Sequence, residues 1–150
     1  MVTKNIVLEG ARFYAHNFAG KPNQYNEAGD RNFCVLLEEE KAQELKEEGW
    51  NVKKRTYEDG EVVFYLPVGV RFDFFPPKIV LINSHSRVNL DETTVKELDE
   101  VEIENIDMII RPYNYEAMGR TGVKAYLKTM FVTIVEDELE KKYADWGSEP

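Results

Sequence analysis

Residues 108–135 read MIIRPYNYEAMGRTGVKAYLKTMFVTIV, and the fold class turns on how this stretch is parsed. Apolar and polar side chains alternate over 108–115 and again over 122–135, the two-residue period of β-strands. The connection, Glu116-Ala-Met-Gly-Arg-Thr121, is short, and Gly119 can take the positive φ of a tight turn. Because side chains alternate across a strand, Arg111, Tyr113 and Tyr115 share one face, and Lys124, Tyr126 and Lys128 share one face of the return strand. A turn centred on Met118–Gly119 sets Arg111 opposite Tyr126 and Tyr113 opposite Lys124, merging both sets into one basic and aromatic surface. The other face then carries Met108, Ile110, Val123, Ala125, Leu127 and Phe131, which suits a core. A slip of one residue would undo the match.

Working outward, residues 6–14, 31–37, 52–57, 62–70 and 78–83 show the same strand signals. Over 62–70, Val62, Phe64, Leu66, Val68 and Val70 fall on one side and Val63, Tyr65 and Pro67 on the other, after a turn at Glu58-Asp59-Gly60. Two short helices are predicted. One covers 39–48 and stops at Gly49; the other starts beyond Asn89-Leu90, with Asp91 as N-cap ahead of Thr94, Val95 and Leu98. Residues 21–30 (KPNQYNEAGD) form a turn-rich loop. Many short strands and few helices make an all-β fold, β-rich with two short helices, of sandwich or small-barrel type. The expected division is a domain over 1–136 and an acidic C-terminal tail over 137–150.

The 150 residues suit one domain, and an apolar share of 43% is enough for a real core. The longest apolar run, 62–70, is cut by Pro67 and Gly69, whereas a spanning helix needs about 20 residues, so no membrane segment is expected. The N-terminal apolar stretch is too short for a signal peptide. With a single cysteine, Cys34, no intramolecular disulfide can form. A reducing, cytoplasmic setting follows as the expectation. Cys34 lies within an apolar strand and reads as a buried structural thiol.

A net charge of −9 argues at first against nucleic acid. The charges are segregated, however. Residues 38–48, 91–107 and 136–150 carry −4, −7 and −4, which leaves +6 on the rest of the chain. Local patches, rather than the total, decide what is bound. Acidic helical faces are commonly just solvated surface, but that does not account for bases collecting on the strands.

Cations and exposed rings on one sheet suit an unpaired nucleic-acid strand: the cations neutralise phosphates and the rings stack on bases. Arg120 sits in the hairpin connection. Arg12 and Tyr14 end the first strand, ahead of Asn17-Phe18, and Lys21 and Tyr25 lie in the following loop. Arg31 and Phe33 open the next strand. Lys53, Lys54 and Arg55, with Tyr57, form the densest basic run. Arg71 and Phe72 precede Phe74-Phe75-Pro76-Pro77, which also reads as a hydrophobic bend. Arg87, in Ser86-Arg-Val-Asn89, either contacts phosphate or belongs to a helix cap. The competing reading of the whole set is that the tyrosines pack into the core and the lysines are ordinary solvated strand residues.

Catalytic patterns are missing. His16 and His85 stand in no metal-ligand spacing. Ser84 and His85 are neighbours that a strand would point to opposite faces. The sequence has no phosphate loop, Rossmann glycine set or nucleophile elbow. No cofactor, no metal and no enzymatic activity are expected.

The segments Asn17-Phe-Ala-Gly-Lys-Pro22, Tyr25-Asn26, Gly29-Asp-Arg-Asn-Phe-Cys-Val-Leu-Leu-Glu38, Glu48-Gly-Trp-Asn-Val-Lys53, Asn89-Leu-Asp91, Ile109-Ile-Arg-Pro-Tyr113 and 122–134 resemble the single-stranded DNA-binding proteins of tailed bacteriophages and prophages. The resemblance covers nearly the whole chain. It implies a five-stranded OB-fold barrel with extended hairpins that coats and protects unwound DNA in phage replication and recombination, with little sequence preference, in the bacterial host cytoplasm. It further implies an acidic tail that competes with DNA and docks replication or recombination proteins; here the tail includes Tyr143 and Trp146 but ends Gly147-Ser-Glu-Pro150, without the final aromatic residue usual in such tails. An exposed strand edge could pair two copies into a homodimer. Two other readings stand beside this one. The −9 charge would suit an acidic DNA mimic that inhibits a nucleic-acid-binding protein, and the many carboxylates would suit a Mg²⁺-dependent nuclease, which needs several of them converging on metal.

Overall fold

In the computed structural model, residues 2–22, 29–73 and 76–136 are described. Their elements run β1 (Ile6–Glu9), β2 (Phe13–Asn17), β3 (Arg31–Leu37), α1 (Glu39–Glu48), β4 (Lys53–Thr56), β5 (Val62–Val70), β6 (Lys78–Ile82), β7 (Arg87–Leu90), a 3₁₀ helix (Val95–Asp99), β8 (Ile103–Ala117) and β9 (Arg120–Ile134). The described residues are thus mostly β, as the alternation predicts, with one α-helix. All nine described strands join a single sheet. A curled half-barrel follows the order β1-β8-β9-β5-β3-β2, with β4 added to β5 and the β6–β7 hairpin added to β9.

β9 is the organising strand. One edge pairs antiparallel with β8 along its whole length. The other edge pairs parallel with β5 at Ala125 and Tyr126, then with β6 from Thr129 to Thr133. Its inward residues Val123, Ala125, Leu127, Met130 and Val132 are buried with Ile110 and Met108 of β8, Leu66, Val68 and Val70 of β5, and Phe33 and Val35 of β3. Each large aliphatic side chain removed from water in this way contributes about 1.5–3 kcal/mol.

Helix α1 has the predicted bounds. It ends at Gly49, which takes φ 108° and directs its N–H back to the Lys46 carbonyl, closing the C-terminus. Trp50 follows at once, 3% exposed, and bridges Val123 of β9. The helix is therefore tied to the core side of the sheet.

Three expectations change. The single strand predicted over 6–14 is two strands, divided at Gly10 (φ 63°). The second helix shortens to the 3₁₀ turn. Asp91 does accept the Thr93 and Thr94 N–H groups at 2.8 and 3.1 Å, and Val95 and Leu98 are buried. Beyond Asp99, however, the chain is taken into β8, which begins at Ile103 opposite Ile134. Long-range pairing outweighs local helix propensity here. Third, Phe131 is not a core residue: β9 bulges against Ile109 and Ile110, which oppose Thr129 and Leu127, so Lys128 has no directly opposed partner. The extra residue shifts the alternation, burying Met130 and turning Phe131 outward beneath Lys78.

Asp99 fastens the end of β2. Its carboxylate accepts the Phe18 and Ala19 N–H groups at 3.0 and 2.8 Å and meets His16 Nδ1 at 2.6 Å.

Candidate nucleic-acid interface

The hairpin closes through Met118 (φ 52°) and Gly119 (φ 77°), a two-residue turn with both central residues at positive φ. That turn sets the register read from the sequence: Ala117 opposes Arg120, Tyr115 opposes Gly122, Tyr113 opposes Lys124 and Arg111 opposes Tyr126. Directly opposed residues share a face, so Arg111, Tyr113, Tyr115, Arg120, Lys124 and Tyr126 stand together. Lys128 stays exposed on this side at the bulge.

The rings and cations touch. The Arg111 guanidinium lies 5.8 Å from the Tyr126 ring centre, and Lys124 Nζ lies 5.7 Å from that of Tyr115. Tyr113 meets Tyr126 edge-on at 5.9 Å and is 43% exposed. Glycines seat two of the rings. A Cβ on Gly122 would stand 2.5 Å from the Tyr115 hydroxyl oxygen, and one on Gly69 would stand 2.8 Å from Tyr126 Cε1.

From Tyr126 the same face continues across the sheet. Tyr126 opposes Gly69 of β5, and Gly69, Pro67 and Tyr65 oppose Asn32, Cys34 and Leu36 of β3. Cys34 opposes Ala15 of β2. On β5's other edge, Tyr65 opposes Lys53 and Val63 opposes Arg55. A second aromatic and cationic cluster lies here. Tyr14 stacks on Tyr65 with centres 4.7 Å apart and planes 15° apart. Its hydroxyl is 2.9 Å from that of Tyr57 and accepts a 3.0 Å bond from Arg55, whose guanidinium lies 4.8 Å from the Tyr57 ring centre. The Tyr57 hydroxyl, helped by Arg55, holds the Tyr14 phenol below its ordinary pKa, and the same bond raises that of Tyr57. Tyr65 lies four positions before Gly69 on β5, about 13 Å at ~3.3 Å per strand residue.

The remaining expected residues are placed less uniformly. Arg31, at the start of β3, lies 5.6 Å over Phe72 and 3.6 Å from Glu92. By register it opposes buried Val70 rather than Gly69, and at the strand end it reaches an open cleft of about 550 Å³ that Arg71, Asp73 and Tyr126 also line. Arg12 precedes β2 and lines a cleft with Tyr14. Lys21 is exposed in a loop whose backbone is clasped by Asn17. Lys54 opposes Phe64 and therefore faces away from Lys53 and Arg55. Arg87 is in strand β7, not in a helix cap; it opposes Ile82, which pairs with Thr133, about 25–30 Å along β9 from Lys124. Tyr25, Phe74, Phe75 and the segment 137–150 lie outside the described residues.

Two further corrections concern aromatic and thiol groups. Phe18 and Phe33 are buried and pack with Phe13 at centre distances of 5.1–5.5 Å; they are core, not surface platforms. Cys34 is half-buried on the outer face rather than enclosed, and burial still pushes its thiol pKa up. Tyr65 is the platform the sequence reading missed, because it sits in an apolar run and its stacking partner is 51 residues away. Among the described residues, no three His, Cys, Asp or Glu side chains converge as metal ligands.

A family model described as "Putative phage ssDNA-binding domain" matches residues 1–148. No curated protein matches the chain. Among solved structures, the single-stranded DNA-binding protein from bacteriophage Enc34 is similar at 12% identity and TM-score 0.54, with 96% of this chain and 90% of that chain covered. The same phage protein in complex with ssDNA is similar at 11% identity and TM-score 0.54, covering 89% and 88%. Its C-terminal truncation gives 12%, 0.53, 89% and 87%.

Proposed function

The chain belongs to the phage single-stranded DNA-binding domain family, and we propose that it binds single-stranded DNA on the outer face of its curled sheet, coating and protecting unwound DNA in phage replication and recombination. The observation that carries this reading is the register. It aligns Tyr113, Lys124, Arg111 and Tyr126 with one another and, through Gly69, with the Tyr65–Tyr14 stack. Rings at both ends stack on bases without regard to sequence, and the cations between and around them neutralise phosphates. The site comprises Arg111, Tyr113, Tyr115, Arg120, Lys124, Tyr126 and Lys128 at one end and Tyr14, Lys53, Arg55, Tyr57 and Tyr65 at the other, with Arg31 beside the first.

We read the curled sheet as an elaborated OB-type half-barrel, with the β8–β9 and β6–β7 hairpins as extensions. Binding is non-catalytic and takes place in the host cytoplasm. Residues 137–150 act as an acidic tail that competes with DNA for the cationic face. The fluorescence anisotropy of a labelled oligo-dT, a duplex and an RNA of equal length, titrated at two salt concentrations, tests the reading. Oligo-dT binding that exceeds duplex binding and weakens with salt supports it; equal or no binding refutes it.

A further inference from the structure

Beside Tyr126, the cleft between the ends of β3 and β5 holds two guanidinium groups, each already matched to a carboxylate. Arg71 presents both donors of its fork to Asp73, Nε to Oδ1 at 2.9 Å and Nη2 to Oδ2 at 2.8 Å. Arg31 lies 3.6 Å from the Glu92 carboxylate and also donates to the Glu92 carbonyl at 3.3 Å. Arg31 also lies over the Phe72 ring, and Arg71 lines the same cleft as Tyr126. A planar fork meeting two oxygens is the geometry by which arginine also takes a phosphate. The Arg71–Asp73 pair is exposed, with half of the Arg71 side chain and 69% of that of Asp73 accessible. Such a pair is worth little in water and exchanges readily.

Resting on the proposed single-strand reading, we infer that Arg71 is a phosphate-binding residue of the same site and that Asp73 occupies its fork until a DNA phosphate displaces it. The Asp73 carboxylate thus sets the strength of binding at this end of the track. The bond to Arg71 holds the Asp73 carboxyl below its ordinary pKa, so it competes as an anion throughout the neutral range. Arg31 and Glu92 form a looser version of the same arrangement across the cleft. The chain therefore limits its own affinity within the folded domain, independently of residues 137–150.

A double-mutant cycle in the full chain tests this, with labelled oligo-dT titrated at several salt concentrations. Arg71→Ala is expected to weaken binding roughly three- to tenfold and to flatten the log–log salt slope by about 0.7, one single-strand phosphate contact. Asp73→Asn is expected to tighten binding in the wild-type background and to have little effect once Arg71 is alanine. Equal tightening in both backgrounds would make Asp73 a general repulsive charge and overturn the exchange. Wild-type affinity and slope in Arg71→Ala would also overturn the inference while leaving the single-strand reading intact. A wild-type chain that fails to bind oligo-dT would overturn both. Circular dichroism of each variant confirms that the fold is retained.

Discussion

Tyr126 lies over Gly69: a Cβ at that glycine would stand 2.8 Å from Tyr126 Cε1 and 2.9 Å from Cδ1. Two strands from different parts of the chain thereby supply one flat platform, since the ring belongs to β9 and the space for it to β5. The contact also joins the β8–β9 hairpin to the rest of the outer face, because β5 and β9 pair directly only around this point.

Gly69→Ala therefore separates fold from binding. The glycine does not have a positive φ, so alanine fits the strand, and the new methyl tilts the Tyr126 ring off the sheet. The variant is expected to unfold at nearly the wild-type temperature and to bind oligo-dT several-fold more weakly. Unchanged affinity would show that the seated ring does not contribute.

On the hairpin itself, Tyr113→Ala is expected to cost roughly 1–3 kcal/mol of oligo-dT binding through lost stacking. Lys124→Ala is expected to flatten the salt slope by about 0.7. Equilibrium titrations at four salt concentrations resolve the two effects, and the absence of both would remove this face from the site.

The adjacent lysines of β4 provide an internal control. Lys53 opposes Tyr65 on the outer face, and Lys54 opposes Phe64 on the other. Lys53→Ala should weaken binding and reduce its salt dependence, whereas Lys54→Ala should leave both near the wild-type values. Equal losses would mean that only bulk positive charge matters.

Deleting residues 136–150 removes a net charge of −4. If this segment competes with DNA, the truncated chain binds oligo-dT more tightly at low salt, and the gain fades as salt screens the competition. Identical isotherms at low salt would count against a competing tail.

Local chemistry determines how far the structure was legible in the sequence. Met118-Gly119 accepts the two positive φ values of a tight hairpin turn, and that turn fixes every cross-strand pair from Ala117–Arg120 to Arg111–Tyr126. Helix α1 was legible up to its stop at Gly49. The bulge at Lys128 carries no such local mark, and unbroken alternation would put Phe131 in the core in place of Met130. Nor does alternation within β3 say which set faces inward; Cys34 and Phe33 are neighbours, and only the sheet puts the thiol outside and the ring inside. The Tyr14–Tyr65 stack joins residues far apart in the chain and required β2, β3 and β5 to be assembled. Trp50 is buried behind β9, so its fluorescence reports on unfolding rather than on binding.

Cys34 lies across the middle of the outer face, between Pro67 and Ala15 and between the two aromatic clusters. As the chain's single cysteine, it can be followed without ambiguity by intact mass. Its raised pKa keeps it largely a thiol at pH 7, so alkylation by iodoacetamide is slow and speeds up as the pH rises. The decisive measurement is that alkylation rate at pH 8 with and without saturating oligo-dT. A strand that runs between the Tyr126 and Tyr65 platforms must cover the thiol and slow the reaction at least several-fold; an unchanged rate under saturating oligo-dT would contradict the placement of DNA on this face.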